Sequence, residues 1–302
     1  MKINKNLSLI GLSILSPNFY NPKICDMILR MKIQFYLMIL MCLILQNVVS
    51  AQDNNSENYK AIYRLTYQPS KIENTQKQED MLLFIDSKHT KFLSLGKHKK
   101  DSLLRNKTNT NSNFSSVLRN LPKTEFDYII INELGNSKIV YKQKVLKDNF
   151  SYEENPKLKW QISNENKIVA DYQCKKATTE YAGREYSAWF TSKIPISSGP
   201  YKFGGLPGLI VEISDKQNEY HFKLIGFKKT KEPVAFYNST NTILTDKDTF
   251  TKVLKEYEEN PFKKMEQSGI RIDFPDNSKK MQMLKEHKEK LKERNPIELS
   301  NE

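Results

Sequence analysis

The chain reads as a β-rich α+β protein: a single antiparallel, strongly curved, half-barrel-like sheet, with helices packed on one side and a C-terminal helical tail. Three observations predict this class. Short segments of β-branched and aromatic residues with period-two alternation recur from Tyr59 to Phe227, the mark of half-buried strands. Turn-forming pairs stand between several of them, at Ser87-Lys88, Gly135-Asn136 and Ala182-Gly183, so neighbouring strands connect as hairpins. Beyond Thr245 the spacing turns helical, with Phe250, Val253, Leu254 and Tyr257 on one stripe.

The N-terminal elements stand outside that fold. Met31-Lys32, an apolar run from Ile33 to Leu45 and the small residues Val49-Ser50-Ala51 before Gln52 have the anatomy of a secretory signal peptide over 31–51. The apolar run is short for a membrane span. Cleavage near Ala51 predicts export to the periplasm, an outer-membrane-associated place or the medium. Residues 1–30, with Leu7 to Leu15, Pro17 and Pro22, read as an over-extended N-terminus without structure. Cys25 and Cys42 precede the cut, which leaves Cys174 with no internal disulfide partner. Its default is a small buried residue.

The main domain is expected over 52–275. Its strands are predicted at Tyr59–Tyr67, Met81–Asp86, His89–Leu95, Asp127–Ile131, Lys138–Val145, Lys157–Ile162, Tyr172–Thr179, Arg184–Phe190, Leu209–Ile213 and Glu219–Phe227. Between Lys99 and Asn120 the apolar points Leu103, Leu104, Phe114, Val117 and Leu118 fit two short helices, or a helix and a loop. Asp246 is a fitting N-cap, and Pro261 ends that helix near Asn260. Residues 276–302 are a charged tail whose helix, Asn277–Arg294, has only Met281, Met283, Leu284 and Leu291 as apolar points and reads as solvated.

The net charge is +13, yet only seven of the 48 basic residues are arginine. Bidentate reading of phosphate and bases favours arginine, so nucleic acid is not an expected partner. The lysines predict a solubilising surface, or peripheral contact with an anionic one. No metal-binding pattern surrounds His89, His98, His221 or His287, and no nucleophile elbow or phosphate loop occurs. No catalytic residue, metal or cofactor is therefore assigned. The pairs Glu153-Glu154 and Glu258-Glu259 read as surface.

The stretch from Trp189 to Ile210 is the candidate site. A connection of this length without its own secondary structure is often functional. Pro195 and Pro200 stiffen it, while Gly204 and Gly205 let another backbone or a ligand come close. In Gly204-Gly205-Leu206-Pro207-Gly208-Leu209-Ile210, Pro207 and Gly208 suit the central positions of a type II turn, with leucines on both flanks. The candidate binding residues are Trp189, Pro200, Tyr201, Phe203, Gly204, Gly205, Leu206, Pro207, Gly208 and Leu209. Either the loop is a lid sealed on the core, or it rims an apolar pocket or docks a partner.

The pattern Tyr172-x-Cys174-x-x-Ala177, Gly183-Arg184-x-Tyr186-x-Ala188-Trp189-Phe190-Thr191, Ile194-Pro195-Ile196 and Gly199-Pro200-Tyr201-Lys202-Phe203, followed by that run, resembles the GLPGLI family of exported envelope proteins. The resemblance is specific over 160–230 and looser over Tyr59 to Val145. It implies an envelope protein of unknown activity and supplies no catalytic residue. The predicted function is a monomeric, non-enzymatic binding protein for a hydrophobic or lipid-like ligand. A scaffold module docking an outer-membrane partner, and a hydrolase with an unrecognised site, are the alternatives.

Overall fold

The computed structural model describes residues 22–50, 57–106, 121–232 and 241–299. The chain divides into two compact units, Met1–Asn55 and Ser56–Glu302. In the first, helix α1 spans Pro22–Ser50. Its start lies ahead of Met31, within the stretch expected to lack structure. Proline is tolerated at a helix start, and no glycine or further proline interrupts the Leu, Met and Ile residues that follow. No helix among the described residues is long and apolar enough to cross a membrane. Ala51 and Gln52, the expected cut, lie outside the described residues, as do Phe114, Val117 and Leu118.

The second unit is built on one open sheet of 12 strands. They are β1 Asn58–Tyr67, β2 Lys77–Ile85, β3 His89–Ser94, β4 Tyr128–Glu133, β5 Ile139–Val145, β6 Asp148–Glu154, β7 Gln161–Val169, β8 Tyr172–Tyr181, β9 Arg184–Thr191, β10 Leu209–Asp215, β11 Tyr220–Thr230 and β12 Thr242–Thr245. Their order across the sheet is β12-β6-β5-β4-β3-β2-β1-β11-β10-β9-β8-β7. Two antiparallel meanders, β1 to β6 and β7 to β11, are joined where β1 pairs antiparallel with β11. The sheet is mixed, which corrects the wholly antiparallel expectation. β12 reaches the far edge and runs parallel to β6, an arrangement that needs a long return connection.

Most predicted strands stand where the alternation put them; β6, β7 and the four-residue β12 differ. β6, Asp148-Asn149-Phe150-Ser151-Tyr152-Glu153-Glu154, is too polar to show a hydrophobic period. β7 begins at Gln161, not Lys157, and is an edge strand exposed over nearly its whole length, so burial left no pattern to read.

Among the described residues, four helices complete this unit: α2 Leu95–Asn106, α3 Lys247–Glu259, α4 Pro261–Gln267 and α5 Asn277–Glu293. Asp246 caps α3 by accepting the Thr249 N–H at 2.8 Å, as its position predicts. The helices do not share one side. In β2, Met81, Leu83 and Ile85 face the main core, where Phe250 of α3 also packs. Leu82 and Phe84 face the other way with Leu93 and Leu95, and Phe84 meets His98 of α2 with ring centres 5.3 Å apart. Both faces of β2 are therefore covered, which explains its run of five buried residues.

Helix α5 buries no residue, as its composition predicts. The segment that follows it is different. Asn295 N–H donates to the Pro69 carbonyl at 2.9 Å, and Leu299 N–H donates to the Ala182 carbonyl at 2.8 Å. The end of the tail is a strap laid across the domain.

Candidate functional site

The loop from Ser192 to Gly208 leaves β9 and returns to β10 through the main core. Leu206, Leu209 and Phe203 are essentially inaccessible. Leu209 N–H donates to the Ile194 carbonyl at 3.0 Å and Ile210 N–H to the Ser198 carbonyl at 2.9 Å. Tyr63 of β1 donates its hydroxyl to the Ile210 carbonyl at 2.7 Å, and Trp160 donates its indole N–H to the Gly204 carbonyl at 2.8 Å. The loop is thus tied to the start of β10 and to Trp160, just ahead of β7.

The turn differs from the type II geometry its residues predict. Gly208 N–H donates to the Leu206 carbonyl at 2.8 Å, closing a three-residue turn on Pro207. Gly208 has φ +146, and a Cβ there would lie 2.1 Å from the Thr191 carbonyl oxygen. Close passage of this backbone past the end of β9 sets the conformation and requires glycine.

Next to that apolar loop lies a charged centre. Lys202, only 3% exposed, donates to Glu298 of the strap at 2.6 Å and forms an ion pair with Glu154 of β6. Its ammonium stands 5.2 Å, 5.4 Å and 5.7 Å from the ring centres of Tyr141, Tyr201 and Tyr152. Glu298 also accepts from the Tyr201 hydroxyl at 2.6 Å, the Tyr181 hydroxyl at 3.0 Å and Lys247 at 2.8 Å. Burial alone would raise the Glu298 carboxyl, but the charge of Lys202 and hydrogen bonds from Lys202, Lys247 and Tyr201 outweigh it and hold it well below the usual carboxylate range.

A second buried centre anchors the same strap. Arg184 donates to Asp215 at 2.7 Å, to the Asn295 side chain at 2.6 Å and to the Pro296 carbonyl at 2.9 Å. Tyr220 and Tyr186 donate their hydroxyls to the Asn295 and Ile297 carbonyls at 2.7 Å and 3.3 Å.

Between the strap, α3 and the sheet lies a cleft of about 530 Å³. Tyr67, Tyr128, Tyr141, Tyr152, Tyr201 and Tyr220 line it, with Phe126, Phe250 and Leu254 among its apolar walls. The Tyr128 side chain is buried, and its hydroxyl has no hydrogen-bond partner among the described residues. Its ring packs against Tyr141 and Tyr201 at 5.4 Å and 5.8 Å. Burial pushes the phenol far above its ordinary value, so it stays neutral and can donate or accept.

The predicted site residues divide. Tyr201 lines the cleft. Gly204 and Gly205 line a second groove of about 450 Å³ with Asn132, Lys157 and Lys159, and Lys202 lines both. Pro200, Phe203, Leu206, Gly208 and Leu209 are buried, while Pro207 is exposed at the tip. Trp189 does not join the loop. Tyr186, Ala188 and Phe190 face the core, so alternation turns Trp189 to the other face, where the Lys167 ammonium stands 5.0 Å from its ring centre. Trp160 touches the loop in its place. Lys202, Glu298, Glu154, Arg184, Asn295 and Tyr128 were not predicted as site residues. The one sequence signal for the strap is the return of Pro296 and Ile297 after the charged helix. Among the described residues, no group of three or more His, Cys, Asp or Glu side chains is placed to hold a metal.

Residues 181–212 match a family model described as "Protein of unknown function (Porph_ging)". That match falls on β9, the loop and the start of β10. Among solved structures, two of PNGF-II are similar, at 14% identity with TM-score 0.50 and at 15% identity with TM-score 0.49. Each alignment covers 67% of this chain and 34% of the PNGF-II chain, so this chain spans about a third of the protein it resembles. The first likeness shows a shared fold. Comparison with curated proteins gave no match.

Proposed function

We propose that this chain is a non-enzymatic binding protein that takes a hydrophobic or lipid-like ligand in the tyrosine-lined cleft. The observation that carries the reading is Tyr128: a buried hydroxyl without a partner, in an aromatic cleft of about 530 Å³. A buried unpaired hydroxyl costs on the order of 1–3 kcal/mol, a cost that a bound molecule with one hydrogen-bonding group removes once the neighbouring rings shift to admit it to the inaccessible oxygen. Apolar clefts with a few polar groups are the usual form of small-molecule sites.

The sheet bends as a half-barrel in this reading. Tyr152 and Glu154 of β6 and Tyr181 of β8 reach the same Lys202–Glu298 centre, although nine steps separate those strands. A flat sheet would set them about 43 Å apart. The loop then acts as the inner lining that shapes the cleft through Tyr201 and Lys202, while its leucines hold it in the core.

Export as a monomer to the periplasm or outer membrane rests on the signal-like anatomy of 31–51 and the resemblance to the GLPGLI family. The lysine-rich surface then serves solubility, or peripheral contact with anionic lipid. A protein-docking role is the second reading, favoured by the groove beside Gly204 and Gly205 and by the exposure of Pro207 at the loop tip.

Titration of the full chain with Nile red, a neutral fluorescent probe, tests the first reading. A saturable one-to-one enhancement that Leu254→Arg abolishes is expected. No saturable enhancement in the wild type would overturn it.

A further inference from the structure

The cleft differs in charge from the protein that carries it. The chain has a net charge of +13, yet the cleft is lined by four carboxylates, Glu125, Glu258, Glu259 and Glu298, against three cations, Lys202, Lys255 and Arg294. Two of those cations and three of those carboxylates are already paired. Lys202 is held by Glu298 and Glu154, Arg294 pairs with Glu258 at 2.5 Å, and Glu125 pairs with Lys77 at 3.3 Å. An acidic ligand entering here would therefore meet no uncompensated charge at Lys202, and the rim adds only Glu259 beside Lys255.

The walls favour the opposite sign. Aromatic faces attract cations through the ring quadrupole, most strongly where water is excluded. The centre already uses that attraction internally, with the Lys202 ammonium among three tyrosine rings at 5.2–5.7 Å. Tyr67, Phe126 and Tyr128 form a second aromatic group on the cleft wall, with Phe126 edge-on to Tyr67 at 4.9 Å and to Tyr128 at 6.0 Å. Glu259 stands exposed at the cleft, while Glu125, also exposed, pairs with Lys77 at 3.3 Å.

Resting on the cleft reading above, we infer that the ligand carries a cationic group, an amine or alkylammonium, joined to an apolar body. The apolar body packs on the tyrosine and phenylalanine walls. The cation lies against aromatic faces, with Glu259 as the nearby acid.

A matched series with one tail tests this: octyltrimethylammonium, octanol and octyl sulfate, titrated calorimetrically into the full chain below their micelle concentrations. Leu254→Arg defines the signal from the cleft, because it obstructs the wall and adds a cation. Glu259→Lys, at an exposed position, changes rim charge without touching the core. The expected result is a cleft-dependent affinity for octyltrimethylammonium at least about fivefold above both others, with the advantage narrowed by Glu259→Lys. If octanol or octyl sulfate binds the cleft equally well or better, or if Glu259→Lys leaves the preference unchanged, the cation assignment is overturned while the cleft stands. If none of the three gives a cleft-dependent signal, the cleft reading falls with it.

Discussion

The loop from Ser192 to Gly208 and the strap from Arg294 to Glu298 meet at Lys202, but opposite forces hold them there. The loop is anchored by apolar burial, with Phe203, Leu206 and Leu209 inside the core, and by hydrogen bonds between neutral groups. The strap carries little apolar surface. Its anchors are one carboxylate bound by four donors and one guanidinium that grips Asn295 and Pro296. Apolar burial is non-directional and indifferent to moderate pH change, whereas a buried ion cluster depends on every member keeping its charge. One wall of the cleft is therefore fixed and the other is conditional.

The sharpest way to break that contrast is at the loop's tightest point. Gly208→Ala places a methyl group 2.1 Å from a backbone oxygen and is expected to cost about 4 kcal/mol or more, read from urea unfolding. A cost near zero would mean that the loop is not fixed. Glu298→Ala comes next, since it removes a partner of a lysine whose side chain is 1% exposed. A loss of about 3–5 kcal/mol is expected, and faster hydrogen exchange around Asn295 should accompany it. Leu206→Ala is expected to cost about 3 kcal/mol, with no such change confined to the strap.

Acid should separate the two walls. The Glu298 carboxyl is depressed in the folded state, so its contribution is complete above the unfolded glutamate value of about 4.3 and is lost as pH falls toward the lower folded value. The stability gap between wild type and Glu298→Gln should therefore be constant near neutrality and shrink below about pH 4.3, while the gap for Leu206→Ala stays level. A Glu298→Gln gap that widened on acidification would contradict the assigned charge. The smallest effect belongs to Tyr128→Phe, which removes the unpartnered hydroxyl. Without ligand, its unfolding free energy should equal or exceed that of wild type, by up to about 1 kcal/mol. A clear destabilisation would show that the hydroxyl already has a structural partner.

The sequence disclosed what periodicity encodes. Strands with one buried face, such as β1 and β9, alternated as half-buried strands must, and the inward packing of the leucines followed from an apolar turn. Polar β6 and exposed β7 gave no period to follow. Trp189 drew notice as a large aromatic beside the loop, but β9 turns it to the opposite face. The charged half of the site was illegible for a different reason. Glu298 lies 96 residues from Lys202 along the chain, and nothing local distinguishes it from the solvated acids of the tail. Only the docked strap makes it a buried ligand of two lysines. Arg184 stood in plain view at a hairpin, with its role hidden until Asp215 and Asn295 arrived beside it.

Native mass spectrometry of the full chain, purified without denaturant and set beside Leu254→Arg, tests most directly whether the cleft is a ligand site. A discrete one-to-one adduct on the wild type that is missing from the variant is the expected result. Bare chain in both, or the same adduct on both, would contradict it.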